Sequence, residues 1–411
     1  MAAVRRALID VTPLRESRDF RRLWTGQLFS GLGGQMAQVA VLYQVWESTH
    51  DPIWTGVAGM VQALPLILFG LFAGSLADRA DRRRLYLITA AGQAACAALL
   101  AVQGFAGSSP LLLLLALIAV NSVFAAGGGP AGMTILPRLL PAGQLAAGLA
   151  LKRIGFQVSM LLGPALGGVV IALTGPGACY LVNAVSFAGV LWAVAMLPPM
   201  PPLPSETRVR HGVLAGLRFL AGHRAVRGAL LTDLAATVLV MPISLFPMVN
   251  ADRFGGDPRT LGLFLSAIAV GGVVASALSG SFTRLHRPGP AMFTGSLVWG
   301  AALGLFGIAP DVWTGLALLA VAGAADTVAV VSRGTVVQLH TPDAYLGRVV
   351  AAEQIVGQAG PDLGNLRGGL VAAATSAPVA LVSGGILGVL AVALIAARTP
   401  ELRREVASSR C

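Results

Sequence analysis

Short connections dense in positive charge alternate along this chain with apolar runs long enough to cross a bilayer. The sharpest instance is Gly74-Ser-Leu-Ala-Asp78-Arg79-Ala-Asp81-Arg82-Arg83-Arg84, four arginines and two aspartates between two such runs. A loop so charged sits at a membrane surface, and short loops rich in Lys and Arg stay on the cytoplasmic side. The other basic residues follow the same alternation. Six arginines precede Leu23, five lie between Arg208 and Arg227, Arg284 and Arg287 share a connection, and four close the chain from Arg398. The connections near 46–54, 104–110, 174–178 and 307–313 carry none. The pattern predicts a multi-pass protein of the cell (plasma or inner) membrane with both termini cytoplasmic.

Only 11% of the residues are charged, less than half the roughly 25% of soluble domains. The formal charge of +11 is spread over separate loops rather than gathered in one patch, which argues against nucleic acid as a partner. The single lysine, Lys152, follows Leu-Ala-Leu rather than a Gly-rich loop. A phosphate cradle of the P-loop type is therefore absent, and ATP-driven transport on this chain is excluded. The three cysteines form no CxxC pair, and the five histidines fall in or beside expected loops without ligand spacing. No metal, no cofactor and no nucleophile–base constellation is expected, so the chain does not read as an enzyme. The basic N-terminus leads into a full-length apolar run, read as an uncleaved first span.

A bilayer core of about 30 Å needs about twenty apolar residues per helix. That ruler places helices near 23–45, 54–77, 83–105, 110–136, 144–173 and 178–197, then near 226–250, 260–283, 290–308, 312–338, 344–372 and 377–397. The expected fold is an all-α membrane protein of 12 transmembrane helices in two pseudo-symmetric six-helix bundles, 1–197 and 225–411. The cytoplasmic linker between them, 198–224, opens on a proline-rich run that cannot continue a helix. Val209, Val213, Leu217 and Leu220 then recur on one face against arginines, the pattern of an amphipathic surface helix.

The halves echo one another. Gly56 and Gly74 stand eighteen residues apart, as do Gly262 and Gly280, and Gly163-Pro164-Ala-Leu-Gly167 is matched by Gly360-Pro361-Asp-Leu-Gly364. Such duplication predicts two bundles related by an axis along the membrane normal. In the second copy Arg284 stands where the first has Asp78, so any role of that aspartate is asymmetric.

Gln27, Gly31, Gly34 and Gln38 line one face of the first helix. They fit either a cavity wall or close helix packing held by amide hydrogen bonds. In the fifth helix Gly155, Ser159, Gly163 and Gly167 recur every four residues, with Gly168 beside them and Pro164 as a kink. Small residues so spaced let a neighbour approach closely, and Gly272, Ser276 and Gly280 of the eighth helix offer a matching ridge. Acidic residues within spans are functional candidates by default. Those retained are Asp233, Asp326, Glu353 and Asp362, with Arg333 and Arg367 as partners and Gln354 and Gln358 beside Glu353. Arg333 lies two turns beyond Asp326 on the same face, which suggests that pair.

The loop from Gly74 to Arg84 closely resembles the signature loop between the second and third helices of major facilitator superfamily transporters. The run from Ser159 to Gly168 resembles the fifth-helix motif of exporters in that superfamily, with serine where the pattern has glycine. The resemblance implies that Asp78, with Arg79, Arg82 and Arg83, forms a latch against the start of the eleventh helix when the cytoplasmic side is closed. Residues Thr341-Pro342-Asp343 read as that start, Thr341 as cap and Pro342 as first helical residue. Leu214–Leu220, Arg284–Gly289 and Thr341–Arg348 look like the enterobactin exporter group of drug and siderophore efflux transporters. Asp326, Glu353, Asp362 and Arg367 depart from that group's pattern. The expected activity is proton-coupled export of an amphiphilic small molecule by alternating access. The partners are then the substrate, protons and lipid, with the proton gradient as energy source and a monomer as the unit. Uptake symport is the alternative within transport, and a sensor or channel the alternative outside it.

Overall fold

The computed structural model describes residues 10–79, 81–107, 110–201, 222–278 and 287–404. The amphipathic stretch expected at 205–220 and the second loop from Gly280 to Arg284 lie outside them. The long helices are α1 (Arg18–Thr49), α2 (Pro52–Arg79), α3 (Arg82–Phe105), α4 (Leu111–Leu139), α5 (Ala142–Thr174) and α6 (Pro176–Ala195). They continue as α7 (Arg224–Val240), α8 (Pro258–Ala277), α9 (Pro288–Phe306), α10 (Val312–His340), α11 (Asp343–Ala374) and α12 (Ala377–Arg398). Short helices at Thr12–Glu16, Phe246–Arg253 and Pro400–Arg404 flank them.

Ten helical stretches among the described residues are long and apolar enough to cross a membrane. The two long helices outside that set are α1 and α11, whose apolar runs are interrupted by polar and charged residues. Gln27, Gln35, Gln38 and Gln44 interrupt α1, and Glu353, Asp362, Asn365 and Arg367 interrupt α11. Several helices outrun the twenty-residue ruler: α1, α5 and α11 have 32, 33 and 32 residues. At 1.5 Å per residue they reach about 48 Å, so their ends extend past the apolar layer or the helices tilt.

The continuous helix expected at 226–250 is instead broken. α7 ends at Val240, a single 3-10 turn covers Ile243–Leu245, and a new helix starts at Phe246. Pro242 supplies no N–H to continue the ladder and cannot sit inside it without clash.

Contacts divide the chain into two units, one of Met1–Gln44 with Leu64–Ser205, the other of Val45–Ala63 with Glu206–Cys411. In the first, α3 packs on α4 and α6, and Gly104 lies against the backbone of Gly177. Its core gathers Leu23, Ala90, Ile135, Val190 and Val194. In the second, α9 packs on α10 and α12, with Gly304 against Gly385, around Val226, Met292, Val336, Val349 and Val392. The repeat in the sequence is thus a repeat in packing. Phe246, Phe264 and Phe306, all fully buried, meet edge to face at 5.3–5.6 Å and fix the segment after the break against α8 and α9.

Residues 45–63 group with the second unit because α2 begins on α11. Gly56 faces the backbone of Asn365 and Leu366. Thr55 Oγ1 lies 2.7 Å from Ser244 O and 2.8 Å from Pro52 O, sharing its one proton between them. Asn365 Oδ1 accepts the Ser244 N–H at 3.1 Å, and Ser244 Oγ donates to Asn365 O at 2.8 Å. The three side chains are buried, so this knot satisfies backbone groups freed by the 3-10 break. Thr55→Val is expected to cost about 1 kcal/mol and to lower the unfolding temperature in detergent; an unchanged transition would mean the knot is not stabilising.

Candidate functional site

The expected site residues fall into three places. The first is the charged loop. Gly74, Asp78 and Arg79 form the last turns of α2, and their side chains lie outside the described residues. Asp81 caps α3 by accepting the Arg84 N–H at 3.0 Å, while its other oxygen accepts the Met200 N–H at 3.0 Å. The Arg82 N–H returns a bond to Met200 O at 3.1 Å. Arg83 donates to Val194 O at 3.2 Å and Ala195 O at 2.5 Å, closing the carboxyl end of α6, where a cation meets orphan carbonyls and the negative end of the helix dipole. The loop thereby grips the start of the proline-rich segment. The sequence marks Arg83 but not this partner, and Asp81, standing before a helical run, carries the mark of a cap.

The reading of the start of α11 also changes. Its first helical residue is Asp343, Pro342 occupies the cap position, and among the described residues no side chain caps it. Thr341 instead follows α10 as its C-cap residue, in an extended conformation.

The second place is the small-residue stripe of α5, which packs on α1. Gly155 faces Trp24 and Leu28, Gly163 faces Leu32 O and Gln35, and Gly167 faces the backbone of Met36. Trp24 Nε1 donates to Leu151 O at 2.9 Å and ties the same pair of helices. Pro164, inside the helix, leaves the Met160 carbonyl without its usual donor, and both Pro164 and Gly168 are buried. Ser159, the departure from glycine, is accommodated because Gly31 stands opposite; a β-carbon at Gly31 would come within 2.6 Å of Ser159 Oγ. Gly272 of α8, offered as a ridge, lies instead against Thr327 and Gly323 of α10. The α1 face divides. Gln27 Nε2 donates to Tyr86 Oη at 3.1 Å and Gly31 packs, whereas Gly34 has open space before it and Gln38 is exposed.

The third place is a recess in the second unit. Asp233 of α7, Asp326 and Arg333 of α10, and Thr232, Ser296 and Trp299 contribute to its lining. Arg333 is 8% exposed and makes two ion pairs, one to Asp233 and one from Nε to Glu353 of α11 at 3.1 Å. The expected Asp326–Arg333 pair is replaced by this triad. Residues seven apart share a helix face but stand about 10 Å apart along the axis, and α7 and α11 bring carboxylates nearer. Asp326 is exposed and, among the described residues, has no ion-pair partner. Asp362 faces Gly59 of α2, Arg367 donates to Ala380 O at 3.3 Å, and the Gln354 and Gln358 side chains lie outside the described residues. Among the described residues no three His, Cys, Asp or Glu side chains gather as a metal site.

Two variants test this geometry. Gly163→Leu is expected to force α5 from α1 at a cost of at least about 2 kcal/mol, read as lower thermal stability in detergent. Arg333→Ala strands two carboxylates and is expected to cost about 3–5 kcal/mol. Adding Asp233→Asn and Glu353→Gln is expected to restore most of that loss; no recovery would show that Arg333 acts through packing alone.

The chain matches the transmembrane secretion effector family model over residues 10–410. It is 29% identical to an enterobactin exporter (EntS) of Shigella boydii over 413 residues, covering 97% of this chain and 95% of that one. The exporter of the same name from Escherichia fergusonii is 28% identical over the same shares. Among solved structures, the nucleoside transporter NupG superposes with a TM-score of 0.74 at 12% identity, covering 94% of this chain and 99% of that one. An inward-facing bacterial homologue of the lysosomal transporter Spinster gives 0.72 at 15%, covering 95% and 98%. These structures share the fold. A match across almost the whole chain, on a scaffold of bilayer-length helices, makes this a multi-pass membrane transporter and not an enzyme: it belongs to the transmembrane secretion effector family of major facilitator (MFS) transporters.

Proposed function

We propose that the chain exports an amphiphilic small molecule from the cytoplasm in exchange for inward-moving protons. The observation that carries this reading is the ion triad in which Arg333 joins Asp233 and Glu353, three helices tied by charges that a proton can uncouple. Protonating either carboxylate removes one attraction to Arg333 and frees its helix to shift; deprotonation restores it. A buried charge network with two stable arrangements is a physical means of coupling proton flow to a conformational change. Alternating access then follows from rocking of two bundles about a central cavity.

The names of the relatives, enterobactin exporters, support outward transport and a siderophore-like or drug-like substrate. The glycine stripe of α5 serves as the packing surface around which α1 and α5 move. Asp78 and Arg79 act as the latch at the start of α11, on the cytoplasmic side, where both termini also lie. The unit is a monomer in the inner or plasma membrane.

Purified protein in liposomes, with an imposed pH gradient and an internal pH dye, tests the coupling. A panel of siderophores, dyes and amphiphilic antibiotics is expected to contain compounds that drive proton movement, reduced more than tenfold in Glu353→Gln. Substrate movement without proton movement would overturn the coupling. Asp78→Asn is expected to slow transport at least tenfold while inserting normally; wild-type rates from correctly inserted protein would remove the latch.

A further inference from the structure

The charges around the recess of the second unit do not balance. Asp233 and Asp326 in its lining and Glu353 paired to Arg333 set three carboxylates against one guanidinium. Arg333 is already committed to Asp233 and Glu353, so it offers no free positive charge to an anionic ligand. The negative charge is not fully used. Among the described residues Asp326 has no ion-pair partner, and Asp233, 8% exposed, holds its Oδ2 buried with no hydrogen-bond partner. An orphaned carboxylate oxygen beside a recess is a costly feature that a donor would relieve.

The rest of the lining fits one kind of donor. Trp299 supplies an aromatic surface, and Ala229, Ala236, Met292 and Ala329 supply apolar walls, with Thr232 and Ser296 as the neutral polar groups. A cation is attracted to both carboxylate and indole, and the methylenes next to it match the apolar walls. The recess is small, with space for an ammonium group or about one water rather than a whole amphiphile. In the first unit Gln27, on the corresponding first helix, is neutral and bonded to Tyr86.

We propose that this recess receives the protonated amine of a cationic amphiphile, its N–H groups donating to Asp326 and to Asp233 Oδ2 beside Trp299. This rests on the export reading and narrows its substrate class to amines, where the relatives' names point to a siderophore.

The test uses three fluorescent probes that share one body and differ at one end. Dansylcadaverine carries a primary ammonium, its N-acetyl derivative is neutral, and N-dansyl-6-aminohexanoate is an anion. Binding to the purified full chain in detergent is expected to favour dansylcadaverine at least tenfold over the other two. Asp326→Asn is expected to abolish that preference, Asp326→Glu to recover it, and Asp252→Asn, at an exposed position outside the recess, to leave it unchanged. Equal binding of the three probes, tighter binding of the anion, or a preserved preference in monodisperse Asp326→Asn would each overturn the proposal. The same probes in proteoliposomes separate the two readings. Proton-driven movement of the anion without amine preference overturns the amine site and leaves export standing. Amine binding abolished by Asp326→Asn, with no proton-driven movement of any compound, supports the site and overturns export.

Discussion

How near two helices can come is the constraint on which this structure depends, and glycine sets that distance. Lipid solvates an apolar side chain as well as another helix does, so packing contacts and interhelical hydrogen bonds must hold the bundle together. Gly104 on Gly177, Gly163 on Leu32, Gly304 on Gly385 and Gly364 on Thr237 each bring one backbone against another where a side chain would intrude. The same economy appears in both units: α5 lies on α1 through Gly155, Gly163 and Gly167, and α11 lies on α7 through Gly360 and Gly364. A duplicated sequence has kept its close contacts in duplicate.

On that scaffold the two units treat polarity differently. In the first, Gln27 finds Tyr86, a neutral pair that satisfies an amide without charge. In the second, Asp233, Arg333 and Glu353 form a buried ionic network, and desolvation makes such a network costly unless its geometry is good. Replacing it by apolar groups would be the simpler way to a stable bundle. Its presence, beside an Asp326 with no ion-pair partner among the described residues, is an argument for chemistry at that place rather than for stability.

The charged loop shows how one segment serves two ends. Asp81 starts α3 and holds Met200, and Arg83 closes α6. The loop whose charge predicts the cytoplasmic side also secures the first unit's exit into the linker. The expected topology and the anchoring are compatible because both call for arginine at a helix terminus.

Apolar length, basic-loop alternation and the spacing of glycines are properties of the chain itself, and they carried the helical membrane fold, the order of its helices and its internal repeat. They work because a bilayer forces every backbone group into local hydrogen bonds, which reduces the fold to a choice of segments. Pro242 escaped because helix ends depend on which neighbours satisfy the freed groups, here Asn365 with Ser244, and Thr341 because it closes α10 rather than opening α11. The candidate acids were legible one by one, since charge within an apolar run stands out. Their partnership was not, because it joins positions 233, 333 and 353 from three helices. A helix repeat reports only which residues share a face of one helix. Which faces meet is decided by packing, so Arg333 belongs to Asp233 and Glu353 by tertiary structure alone.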